Sequence, residues 1–159
     1  MKTIRIPVFI EEFDVNELPE DILRLKEEAE KARENAYAPY SKFKVGAAVM
    51  LDDETIVTAN NQENAAYPSG MCAERIAVWY AGAQYPDKKI IKLFITARSS
   101  SQTLNKPVPP CGACRQSIAE YEVKQHQDIE IWFMGETGKI WHSPSLKNLL
   151  PLVFDGSDL

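Results

Sequence analysis

Three cysteines set ahead of helical stretches constrain this 159-residue chain more than any other feature. Cys72 stands in "GMCAERIA", and Cys111 and Cys114 stand in "PPCGACRQ". A helix N-terminus favours a thiolate through its partial positive charge and free N–H groups. Positions i and i+3 share a helix face, so Cys111 and Cys114 can converge on one ion. A sulfur-rich site of three protein ligands leaves one corner of a tetrahedron open, and zinc suits it.

Other readings of the cysteines exist. Cys111-x-x-Cys114 is also the spacing of a dithiol redox pair, which leaves Cys72 and its neighbours unexplained. Three buried apolar thiols without metal are a second possibility. A structural zinc would need a fourth protein ligand, and His126 or His142 could supply it. The open site with water in the fourth position accounts for one further residue. Glu74 follows Cys72 by two positions in "CAE", close to the ion, where a carboxylate can take a proton from water and return it to a leaving group.

The rest of the chain reads as one α/β unit. Hydrophobic residues make up 45% and charged residues 26%, ordinary for a globular domain. Ile22, Leu25, Ala29, Ala32 and Ala36 recur at spacings of three and four and predict a helix from about Asp21 to Ala36. "VGAAVML" and "TIVTA", joined by "DDE", predict a strand hairpin. A helix over Cys72–Gln84, a buried strand over 89–97, a helix from Cys111 to about Tyr121 and strands at 128–134 and 139–142 follow. Ser143, with Pro144 after it, predicts the N-cap of a last short helix. Strand–helix alternation predicts parallel pairing in the second half, within a mixed sheet of about five strands covered on both faces. Residues 1–19 read as a lead segment, partly extended, and residues 20–159 as the domain.

Net charge is −5 and no run of Lys or Arg is present, which disfavours a nucleic-acid partner. The longest apolar run, "IIKLFITA", is far below the roughly 20 residues that span a bilayer. "MKTIRIPVFIEEF" turns acidic too early for a signal peptide, so a cytoplasmic location and no membrane partner are expected. An odd cysteine count without a signal peptide argues against a disulfide framework.

"CAE" followed by "PCGAC" matches the zinc nucleobase deaminase signature of His or Cys, x, Glu, then Pro-Cys-x-x-Cys. With "YAPYSKFKVGAAV", "NNQENAAYPSGMCAERIA" and "PPCGACRQSIAEY", the chain resembles the cytidine deaminase family in its small-subunit form, over roughly residues 22–154. The resemblance implies a three-layer α/β/α fold, one Zn²⁺ per chain on Cys72, Cys111 and Cys114, and Glu74 as proton shuttle. It implies that Phe43 packs beside a nucleoside, that Asn61 and Glu63 bond the ribose hydroxyls, and that the Ala73 backbone meets the pyrimidine edge. It also places an arginine, Arg75, against the thiolates, with Arg115 as a second candidate. Similar proteins are usually homotetramers in which a C-terminal aromatic, here Phe154, covers a neighbour's base. No glycine stands between Pro151 and Phe154 here, so a different approach angle is expected.

The activity implied is hydrolytic deamination of cytidine and deoxycytidine, within pyrimidine salvage. An antibiotic aminopyrimidine nucleoside as substrate is an alternative with the same chemistry. A zinc-stapled module without catalysis is another, which Glu74 argues against. Polynucleotide editing fits an acidic chain poorly.

Overall fold

The structure, a computed structural model, describes residues 1–159. Six strands form one sheet: β1 (Glu11–Phe13), β2 (Phe43–Leu51), β3 (Ile56–Asn60), β4 (Ile90–Ser99), β5 (Glu130–Met134) and β6 (Ile140–Ser143). Four helices accompany them: α1 (Glu20–Glu34), α2 (Ala73–Gln84), α3 (Gly112–Gln125) and α4 (Leu146–Leu149). The strand order is β1-β6-β5-β4-β2-β3.

Side-chain alternation along the central strands divides the core in two. Ala48 and Met50 of β2, Phe94 of β4, and Trp132 and Met134 of β5 pack on the α1 stripe of Ile22, Leu25 and Ala29. Their sequence neighbours Ala47, Val49, Leu93, Ile95, Ile131 and Phe133 pack on the opposite face with Ala77, Val78 and Ala81 of α2 and Ile118 of α3. Burial on both faces explains why these strands read as continuous apolar runs. The expected three-layer arrangement with a mixed sheet is what forms.

Four details differ from the sequence reading. The sheet has a sixth strand, because the lead segment supplies β1 at its edge, Glu11 pairing with His142 and Phe13 with Ile140. Only β4 and β5 run parallel, joined through α3, while β5 and β6 form an antiparallel hairpin. The N-cap of α4 is Ser145, whose side chain accepts from Lys147 N; Ser143 belongs to β6, and its hydroxyl donates to Ser145 O at 2.9 Å. Arg33, rather than a further alanine, is the buried residue in the last turn of α1, its Nη1 donating to Thr96 Oγ1 at 2.7 Å.

Two contacts fix the helices that matter for the site. A Cβ on Gly46 of β2 would stand 2.0 Å from Ala29 O, so α1 lies directly on the sheet there. On the other face, the buried Glu122 carboxylate of α3 accepts from Ile129 N at 2.8 Å, Leu146 N at 2.7 Å and Ser145 Oγ. It thereby ties α3 to the start of β5 and to α4.

Candidate metal and nucleoside site

Cys72 is the N-cap of α2 and Cys111 the N-cap of α3, both in extended backbone with no side-chain cap bond. Their first-turn N–H groups are therefore free to face anionic sulfur. Cys114 lies in the first turn of α3, fully buried, with its Sγ 3.4 Å from that of Cys111. All three Sγ atoms lie within 4.8 Å of one another. Zn–S bonds of about 2.3 Å in a tetrahedron require sulfurs about 3.8 Å apart, so the cluster fits a single zinc ion.

The electrostatics of the bare thiols point the same way. A hydrogen bond from Cys114, aided by Arg75, holds the Cys72 thiol down to about 5. The same bond, burial and the nearby Glu74 carboxylate push the Cys114 thiol up. Three ionised sulfurs this close repel one another, and a dication removes the conflict.

Glu74 sits one residue into α2 and is 5% exposed. Burial raises its carboxyl to about 7, helped by the negative charge at Cys72, while a backbone hydrogen bond offsets part of the rise. Arg75 donates from Nη2 to Cys72 Sγ at 3.5 Å and stacks over Trp79, 5.9 Å from the ring centre. Arg115 takes other partners than sulfur. Its Nε donates to Pro110 O at 2.8 Å and its Nη1 to Leu149 O at 3.0 Å, so it braces the cysteine turn against α4.

Neither histidine is near the thiols. His126 ends α3 in a left-handed conformation, at the opposite end of the helix from the cysteines. His142 is stacked on Trp132 at 4.0 Å, with Nδ1 2.6 Å from Glu11 Oε2. The described cluster contains three protein ligands and no fourth.

Beside Cys72 opens a cavity of about 410 Å³, lined by Tyr40, Ser41, Asn61, Glu63, Tyr67, Met71 and Arg75 among others. A larger groove of about 690 Å³, lined by Lys42, Arg98 and Ser99–Thr103, contains none of the thiols, so the cavity at Cys72 is the one joined to the metal cluster. Asn61 holds the first residues of β2, and Glu63 holds the loop that precedes it. Asn61 Oδ1 accepts from Val45 N at 2.7 Å and its Nδ2 donates to Phe43 O at 2.9 Å. The Glu63 carboxylate accepts from Tyr40 N at 2.9 Å, from Ser41 N at 3.2 Å and from the Ser41 hydroxyl, which holds it below the usual carboxylate range. An amide carries two donors and two lone pairs, and a carboxylate about four acceptor sites. Each side chain thus keeps capacity to spare for a ligand in the cavity.

Phe43 and Phe154 do not line this cavity. Phe43 is half-buried at the start of β2. Phe154 is 59% exposed, its carbonyl accepting from Gln116 Nε2 at 2.8 Å. Ala73 is buried in the first turn of α2 beside Cys72. Ser41 and Tyr40 were missed as individual lining residues in the sequence. The signal for them is the pairing of "YAPYS" with "NQEN", which a lone serine or tyrosine does not announce.

Residues 19–127 match the profile of the cytidine and deoxycytidylate deaminase zinc-binding region. The chain is 36% identical over 135 residues to a cytidine deaminase of Halalkalibacterium halodurans, covering 85% of this chain and 95% of that one. It is 39% identical over 139 residues to a cytidine deaminase of Sporosarcina psychrophila, covering 87% and 95%. The crystal structure of cytidine deaminase from Burkholderia pseudomallei superposes with a TM-score of 0.72 at 35% identity, covering 83% of this chain and 98% of that one. The three thiols, the cavity beside them and the sheet beneath them thus occur in a chain that matches these relatives over nearly their whole length: it belongs to the cytidine and deoxycytidylate deaminase family and takes zinc as its cofactor.

Proposed function

We propose that the protein hydrolyses the exocyclic amine of cytidine and deoxycytidine, giving uridine or deoxyuridine and ammonia. The observation that carries this is the buried Glu74 carboxylate set against the three-thiol cluster, beside a cavity of nucleoside size. Zinc, held by Cys72, Cys111 and Cys114, supplies a Lewis acid that brings the pKa of a water toward neutrality.

The chain's own residues supply the proton transfers and the orientation. Glu74 takes one proton from the attacking water and delivers it to the pyrimidine ring nitrogen; it then takes the second proton from the hydroxyl added at C4 and gives it to the amine, as the C4–N bond breaks and the C4 carbonyl forms. Its burial, which favours the protonated form, suits a carboxyl that must donate protons as well as accept them. Asn61 and Glu63 meet the sugar hydroxyls with their spare donor and acceptor sites. The Ala73 backbone, at a helix start whose N–H groups lack partners, meets the polar edge of the base. Phe43, at the start of β2, is assigned to the wall beside the base, and Arg75 withdraws negative charge from the thiolates.

The assembly proposed is a homotetramer in the cytoplasm, serving pyrimidine salvage, with Phe154 of one subunit closing another's site. The exposure of Leu152 and Phe154, at 79% and 59%, supports a tail that finds its cover on a neighbour. Residues 20–159 form the catalytic domain in this reading.

An ultraviolet assay on cytidine, deoxycytidine, their 5′-monophosphates and an aminopyrimidine antibiotic nucleoside tests the proposal. Turnover of the first two, with the others slower, is expected. Turnover confined to the antibiotic nucleoside, or no turnover by zinc-loaded protein, overturns it.

A further inference from the structure

Residues 1–10 form an arm that the chain's own domain leaves bare. Ile4, Ile6, Val8 and Phe9 are 75%, 46%, 53% and 68% exposed. In extended backbone, Ile4, Ile6 and Val8 share one face. The arm leaves the domain in a fixed direction. Asn148 Oδ1 accepts from Phe9 N at 2.9 Å, the Asn148 amide donates back to Phe9 O, and Glu11–Phe13 is held in the sheet. β1 is the end strand, so one of its edges has no partner. The family match begins at residue 19, so the whole feature lies outside it.

Charge divides this stretch sharply. Lys2 and Arg5 are the only charged side chains of residues 1–10, whereas Glu11, Glu12, Asp14, Glu17, Glu20 and Asp21 follow with no cation among them. A segment that is basic and apolar at one end and acidic at the other complements itself when inverted.

We infer that the arm docks on a second copy of this chain, antiparallel to its residues 2–14, about a two-fold axis at Val8. That register sets Arg5 of each copy against Glu11 of the other and Lys2 against Asp14. It sets Ile6 beside Ile10 and Val8 beside Val8 on one face of the paired arms, with Ile4 beside Glu12. Both contacts then occur twice, as a self-complementary interface requires. The pairing gives the free edge of β1 a partner, the manner in which sheet edges recruit extended chains. Pro7 lacks an N–H but is tolerated in a strand at a sheet edge. An anionic membrane fits worse, because carboxylates directly follow the apolar stretch.

This inference does not depend on the proposed reaction. Sedimentation velocity over a dilution series compares the zinc-loaded full chain with a form lacking residues 1–8 and with Arg5→Glu. Both variants are expected to raise the concentration of one dissociation step by more than about tenfold. Arg5→Glu combined with Glu11→Arg is expected to restore it. A benzoylphenylalanine cross-linker at position 6, in mixed light- and heavy-isotope chains, is expected to join a light chain to a heavy one within residues 8–14. Unchanged association in both variants, or cross-links confined to one chain or to added anionic phospholipid vesicles, overturns the inference.

Discussion

Arg75 Nη2 approaches Cys72 Sγ to 3.5 Å while its Nε is buried without a partner. The guanidinium is committed to the sulfur side of the site. Three thiolates and Zn²⁺ sum to one negative charge, which Arg75 cancels locally. Arg75→Ala is expected to lower kcat/KM by about 10–100-fold with zinc retained. The acid limb of the pH–rate profile should move to higher pH, because removing a nearby positive charge makes ionisation harder. Zinc analysis and a pH–rate series check this; an unshifted profile at full rate rejects the role.

Glu74→Gln separates catalysis from stability. The amide cannot carry a proton, so turnover should fall by about 10²–10⁴-fold or more while zinc stays bound. Burial raises the carboxyl to about 7 in the folded chain, so ionising it opposes folding. In metal-free protein the wild type is expected to lose stability relative to the variant as pH rises from about 4.5 to about 7, and to stay level above that. Thermal midpoints of both proteins across that range are the measurement.

Loss of one sulfur should empty the metal site. Cys72→Ala is expected to lower zinc from one ion per chain to near zero, because two thiolates on one helix turn hold the ion far less well. Zinc retained tightly in that variant would place the ion elsewhere.

Removing residues 152–159 tests whether the tail completes a site in trans. KM is expected to rise and kcat to fall, with mass measured alongside. A monomeric full-length enzyme, or a truncated one with unchanged constants, rules out that arrangement.

Gly46→Ala probes the seat of α1. The added methyl would meet Ala29 O and the Arg33 backbone N at 2.0 and 2.7 Å, so the helix must move. A loss of about 1–3 kcal/mol or more is expected from chemical denaturation. Equal stability would mean that α1 shifts freely.

The sequence made the metal cluster legible because sulfur at a helix start is chemically unusual, and because "CAE" and "PCGAC" are rare together. Strand identity was legible wherever both faces of the sheet are covered, since Ala47–Leu51 and Leu93–Ile95 are apolar throughout. What escaped depends on long-range contacts. β1 is three residues long and acidic, and becomes a strand only by pairing with β6. Ser143 and Ser145 are equally good caps in isolation, and the Glu122 carboxylate, by accepting from Ser145 and Leu146 N, helps place the helix start. Arg115 adjoins Cys114 in sequence, yet the carbonyls of Pro110 and Leu149 claim its guanidinium.

The first strand of the sheet in chain order is among the last that can find its place. Glu11 and His142 are 131 residues apart, so β1 has no partner until β6 has been made. Closing so wide a loop is slow, and the wait leaves Ile4, Ile6, Val8 and Phe9 open to other chains. Refolding from denaturant should accordingly show the domain forming before Trp141 and Trp132 report the arrival of the N-terminal strand.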